Sequence, residues 1–181
     1  MTTLPNILTV GRIALIPPFI GLFYLPQEIA AWVTFGLFAF AAVTDFFDGW
    51  LARRLNQTSE FGRILDPIAD KLIVAAALVM LAVQYDAPVI PVVAILCREL
   101  MISGLREGLA GRISLPVSHL GKWKTASQMM AIAVLLIAPA FAALAELLGH
   151  AGEGLLWLAA ALSWLSAGFY LRAVARQWAA L

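Results

Sequence analysis

Asp45-Phe46-Phe47-Asp48-Gly49-Trp50-Leu51-Ala52-Arg53, followed eight residues later by Gly62-Arg63-Ile64-Leu65-Asp66-Pro67-Ile68-Ala69-Asp70, sets four aspartates within or beside long apolar runs. On a helix Asp45 and Asp48 are i,i+3, and Asp66 and Asp70 are i,i+4. Each pair therefore shares a face, with roughly 4.5–6 Å between its members along the axis. Two such helices packed antiparallel would let all four carboxylates converge. Their repulsion and their loss of hydration would be costly without positive charge between them. Divalent cations supply that charge: carboxylate oxygens suit Mg²⁺ or Mn²⁺, and a pair of ions can stabilise the attacking and leaving oxygens of a phosphoryl displacement. The plainer alternative pairs the carboxylates with Arg53, Arg54, Arg63 and Lys71 at a membrane interface. Intramembrane ionisable groups are expensive and are functional by default, which favours the first reading.

The rest of the chain explains where this cluster sits. Of 181 residues 62% are hydrophobic and 13% charged, and the mean hydropathy is +0.91. A soluble domain carries about 25% charged residues, so the solvent for most of this chain is lipid. Six stretches are long and apolar enough to span, at roughly 7–25, 29–53, 61–84, 88–110, 119–144 and 154–176. Polar or turn-forming breaks separate them, including Tyr85-Asp86-Ala87-Pro88 and Gly149 to Gly154. The expected fold is an all-α integral membrane protein of six transmembrane helices, one domain over 1–181. The N-terminal stretch has no basic region, short apolar core or small-residue cleavage site of a removable signal peptide. The single cysteine, Cys97, cannot form an intrachain disulfide and reads as packing.

Charge gives the orientation. Lysine and arginine fall near the termini and around the second-to-third and fourth-to-fifth connections, whereas the other three connections hold Glu28, Asp86, Glu146 and Glu153. The positive-inside rule then makes both termini cytoplasmic, in agreement with an even number of spans, which puts them on one side. Trp157, Trp164 and Trp178 fit interface anchoring or packing, with packing favoured. His119 and His150 fall on opposite sides in this topology and read as structural rather than metal-binding.

The stretch from Asp45 to Asp70 is similar, without departure in identity or spacing, to the DxxDGxxAR(x8)GxxxDxxxD signature of the CDP-alcohol phosphatidyltransferase family. The resemblance implies six membrane helices, a homodimer, an active site facing the cytoplasm at the inner membrane, and two metal ions held by Asp45, Asp48, Asp66 and Asp70. It further implies that Gly49 and Arg53 help hold the CDP moiety and that Asp70 doubles as general base. Asp70 also follows from the residues themselves, as the carboxylate one helical turn deeper than Asp66. Gly49 and Gly62 fit either nucleotide approach to bare backbone or close helix packing.

The signature is silent on the acceptor alcohol. Three other stretches resemble bacterial members of the family that use sn-glycerol 3-phosphate: Leu4 to Arg12, Arg98-Glu99-Leu100 with Leu105-Arg106-Glu107, and Gly121 to Thr125 with Gln128-Met129. A small dianion needs cations near the metal site. Arg106, Arg112, Lys122 and Lys124 surround the fourth-to-fifth connection, where their presence also fits topology and lipid headgroups. Arg98 and Glu99 lie deep in the fourth span and should face the bundle interior, paired. Two roles are open to Arg98, acceptor-phosphate binding or bracing of the aspartates. Asn6 and Thr9 fit hydrogen bonding to the CDP-lipid, while Asn6 also fits an N-cap. The expected partners are CDP-diacylglycerol, sn-glycerol 3-phosphate and membrane lipids, with no nucleic acid. Other acceptors (an inositol phosphate, serine or phosphatidylglycerol) share the chemistry, and a cation transporter is the rival of another class.

Overall fold

The computed structural model describes residues 4–55, 60–109 and 119–178, and their side chains except at 4–8, 45–55, 60–67, 70 and 119. The described residues form helices α1 (Leu4–Ala14), α2 (Ile16–Leu22), α3 (Gln27–Leu55), α4 (Glu60–Gln84), α5 (Val89–Gly108), α6 (His119–Ile137) and α7 (Ala145–Trp178), with a 3-10 turn at Ala138–Ala140. Among the described residues, three stretches are long and apolar enough to cross a membrane: Gln27–Thr44, Leu120–Ala140 and Ala145–Trp178. Thr9–Leu22 and Lys71–Gln84 are shorter apolar helical stretches. The chain is thus an all-helical membrane protein.

Prolines account for two departures from the expected spans. The first span is divided at Leu15, because Pro17 and Pro18 cannot donate the bonds of a continuing helix. Leu15 keeps right-handed helical angles and its N–H still reaches the Gly11 carbonyl at 3.0 Å, so the division is a kink. Pro139 similarly converts the end of the fifth span into the 3-10 turn. Between α4 and α5, Asp86 takes a left-handed backbone (φ 53°), which aspartate tolerates better than most residues. The N–H groups of Tyr85 and Ala87 both point back to the Leu81 carbonyl, closing the helix end.

The last helix begins about two turns earlier than the sequence suggests, running unbroken through Gly149 to Gly154. Tertiary packing overrides the glycines. α7 lies along α6 over most of its length and also packs on α5. Gly152 is buried where a Cβ would come within 2.6 Å of Leu135 Cγ and 2.7 Å of its Cδ2. The missing side chain is therefore what lets the two helices close.

The apolar core joins Phe19 and Phe23, in and just after α2, to Leu78 and Leu81 of α4, Ile132 and Leu136 of α6, and Leu156 of α7. Phe19 and Phe23 meet edge-on at 5.3 Å. Cys97, expected to pack, is exposed on the bundle surface. Trp157 and Trp178 are also about half-exposed rather than packed, at 48% and 54%. Trp164 ties α7 to α5 through its indole N–H, which donates to the Ala94 carbonyl at 3.1 Å.

Candidate active site

The four aspartates fall on two helices at one end of the bundle. Asp45 and Asp48 lie in the C-terminal half of α3, and Asp66 and Asp70 in the first turns of α4; their side chains are outside the described residues, as are those of Gly49-flanking Arg53 and of Asn6. Gly49 and Gly62 are helical positions on the same two elements. α1 packs against both α3 and α4, and α2 does too. That brings α1's buried Thr9 and Arg12 to the helices of the signature. Asn6 is inside α1, whose first residue is Leu4, so the N-cap alternative does not hold for it.

Close to the signature helix α4, the structure builds a cavity of about 340 Å³ in which charged and polar side chains share the lining with Ile102, Phe169 and Ala173. Its walls come from the middle of α4 (Lys71), the middle and second half of α5 (Arg98, Glu99, Ser103, Arg106), the start of α6 (Gly121, Lys124, Thr125) and the second half of α7 (Ser166, Tyr170). Helical spacing explains the selection. Glu99, Ser103 and Arg106 are i, i+4 and i+7 on one face of α5. Lys124 faces the cavity, whereas Lys122, two residues and about 200° away around α6, is exposed and does not line it. Three of the five expected acceptor residues, Arg98, Arg106 and Lys124, thus meet in one cavity. Arg112 lies outside the described residues.

Arg98 is buried and engaged through all three guanidinium nitrogens. Its Nε donates to the Ser163 carbonyl at 3.0 Å, one terminal nitrogen to Glu99 Oε1 at 3.1 Å and the other to Ser166 Oγ at 3.3 Å. Charge-assisted bonds of this kind contribute about 1.5–3 kcal/mol each. Arg98 therefore clamps α5 to α7, and the interior pairing expected for it is present. The same Glu99 oxygen accepts a hydrogen bond from the Lys124 ammonium on α6. One carboxylate thus bridges two buried cations on different helices. Lys71 donates to the Ser103 hydroxyl, and the Arg106 guanidinium lies 5.9 Å from the centre of the Tyr170 ring, within cation–π range.

Among the described residues the cavity gathers four cationic side chains, Lys71, Arg98, Arg106 and Lys124, and one carboxylate, Glu99. Sequence reasoning had found three of those cations. It missed Lys71, taken only as a possible partner of the aspartates, and it missed the contribution of α7. A signal was present there: Ser163, Ser166 and Tyr170 recur at i, i+3 and i+7 in an otherwise apolar span.

The match to known families decides the assignment: the description "CDP-alcohol phosphatidyltransferase" fits residues 2–165. The chain belongs to the CDP-alcohol phosphatidyltransferase family. Among similar proteins of this kind is the CDP-diacylglycerol–glycerol-3-phosphate 3-phosphatidyltransferase of Rickettsia bellii, 44% identical over 94% of both chains. The protein of the same name from Pectobacterium atrosepticum is 45% identical over 94% of this chain and 93% of its own. A cardiolipin synthase (CMP-forming) of Oryza sativa is 40% identical over 97% of this chain, which spans 58% of that protein. Membership makes this chain a membrane transferase of phospholipid synthesis, and its family generally uses divalent cations. The donor set fits such ions: four carboxylates on two helices offer the hard oxygen ligands that Mg²⁺ and Mn²⁺ take.

Proposed function

We propose that the chain transfers the phosphatidyl group of CDP-diacylglycerol to sn-glycerol 3-phosphate, giving phosphatidylglycerophosphate and CMP. The observation that carries this reading is the cavity in which Lys71, Arg98, Arg106 and Lys124 converge next to the helix bearing Asp66 and Asp70. A phosphorylated acceptor is a dianion, and it fits four cations better than an uncharged or zwitterionic alcohol does. The two bacterial relatives carry this reaction in their names.

In the proposed mechanism the acceptor's phosphate is held in the cavity and its hydroxyl is presented to Asp70. Asp70 takes the hydroxyl proton as the oxygen attacks the β-phosphorus. A new P–O bond to glycerol forms, the bond from that phosphorus to the bridging oxygen breaks, and CMP departs with the electron pair. Asp45, Asp48, Asp66 and Asp70 are the residues that would hold two Mg²⁺ or Mn²⁺ ions. Such ions, when bound, neutralise the diphosphate and the developing charge on CMP. Gly49, Gly62, Arg53, Asn6 and Thr9 form the CDP-lipid side of the site, in keeping with the packing of α1 on α3 and α4. Arg112 and Lys122 would serve as outer cations for the incoming dianion.

The chain is one domain of six spans with both termini cytoplasmic, works at the inner membrane with its site facing the cytoplasm, and assembles as a homodimer. The second reading is phosphatidylglycerol as acceptor, favoured by the likeness to a cardiolipin synthase. That alcohol brings no terminal phosphate to use the cavity's cations.

The chemistry is tested by CMP release from CDP-diacylglycerol in proteoliposomes. Chelation abolishes release and added Mg²⁺ or Mn²⁺ restores it, while Asp70→Asn binds the CDP-lipid without transferring it. Undiminished turnover in Asp70→Asn removes Asp70 as the base, and metal flux without CMP release would favour a transporter.

A further inference from the structure

Lys71 stands apart from the other cavity cations. It is the cation contributed by the signature helix α4, one residue after Asp70, and it lines the same cavity as Arg98, Arg106 and Lys124. The cations also differ in what engages them. Arg98 is clamped by Ser163, Ser166 and Glu99, and Lys124 faces the Glu99 carboxylate. Among the described residues, Lys71 reaches across to a neutral hydroxyl, Ser103 Oγ on α5.

This difference divides the cluster by role. An ammonium has three donors, so Lys71 can keep Ser103 and still bind an oxyanion, or exchange the hydroxyl for a stronger charge-assisted bond. Arg98 and Lys124 would have to compete with a carboxylate already bridging them. Chain adjacency sets the backbones of Lys71 and Asp70 one residue apart on α4, about 1.5 Å along the axis and about 100° around it.

We propose that Lys71 binds the anionic group of the acceptor alcohol and thereby fixes where its hydroxyl lies relative to Asp70, while Arg98, Glu99 and Lys124 form the frame of the cavity. This rests on the phosphorylated-acceptor reading above. In the bound state the phosphate bridges α4 and α5 through Lys71 and Ser103, with Arg106 closing the cavity mouth beside Tyr170.

The test uses the full chain in proteoliposomes, with sn-glycerol 3-phosphate varied at saturating CDP-diacylglycerol and the reverse. Wild-type turnover is read first, because its absence with glycerol 3-phosphate would overturn the acceptor reading and this proposal with it. Given turnover, Lys71→Met raises KM for the acceptor by about 10–100-fold and leaves KM for the CDP-lipid within about twofold. Lys71→Arg, which keeps the charge, returns the acceptor KM to within about threefold to tenfold of wild type. If the methionine variant does not fold, Lys71→Gln keeps a polar head and carries the same expectation. An unchanged acceptor KM in the uncharged variant overturns the assignment, and so does an equal rise in KM for CDP-diacylglycerol.

Discussion

Glu99→Gln tests the frame of the cavity, because it keeps the shape of the side chain and removes only its charge. Glu99 bridges Arg98 and Lys124, whose side chains are 8% and 9% exposed, while its own is 18% exposed. Two charge-assisted bonds contribute about 1.5–3 kcal/mol each, and neutral bonds are roughly half as strong. A glutamine oxygen retains the neutral part, and Arg98 keeps Ser163 and Ser166, so the expected loss of folding stability is about 2–3 kcal/mol. The substitution also leaves the cavity one unit more positive. Two charges of a phosphate dianion at about 6 Å in a water-filled cavity then gain on the order of 1–2 kcal/mol, so inorganic phosphate binds roughly tenfold more tightly. The assay is unfolding in mixed micelles with and without inorganic phosphate: Glu99→Gln is less stable than wild type without it and gains more from it. Wild-type stability together with an unchanged phosphate response would refute the role of Glu99 as internal counter-ion.

Two further expectations concern α7. Gly152→Ala would set a methyl carbon 2.6 Å from Leu135 Cγ; Leu135 or the helices must shift, and stability in micelles falls by about 1–3 kcal/mol. An unchanged midpoint would show that Leu135 yields freely. Tyr170→Leu removes the ring beside Arg106, 5.9 Å from its guanidinium, and raises the acceptor KM by about twofold to fivefold, in line with an exposed cation–π contact of about 0.5–1 kcal/mol. Equal change in the KM for CDP-diacylglycerol would place Tyr170 elsewhere in the site.

The parts legible in the sequence are those written in local chemistry. Asp45, Asp48, Asp66 and Asp70 stand out because carboxylates in apolar helices have few bland explanations, and Arg98 was expected inside the bundle for the same reason. Hydropathy placed α3 to α5 close to their observed bounds. What stayed hidden depends on partners distant in the chain. Gly149 to Gly154 reads as a break until Leu135 is seen to require a bare backbone at Gly152. Lys71 reads as a companion of its neighbouring aspartates until Ser103 and Arg98 appear across from it. Ser163 and Ser166 gain their role only when Arg98 is found between α5 and α7. Lys122 and Lys124 are alike in sequence, and only the rotation of α6 separates the exposed one from the one in the cavity.

The central claim is that this site transfers a phosphatidyl group to a phosphorylated three-carbon acceptor. Its most direct test supplies the purified chain with labelled CDP-diacylglycerol and, separately, sn-glycerol 3-phosphate, an inositol phosphate, serine or phosphatidylglycerol, and identifies the labelled lipid. The account predicts phosphatidylglycerophosphate, with CMP released in equal amount, from glycerol 3-phosphate. A labelled lipid formed from another of these alcohols, with none from glycerol 3-phosphate, would contradict it.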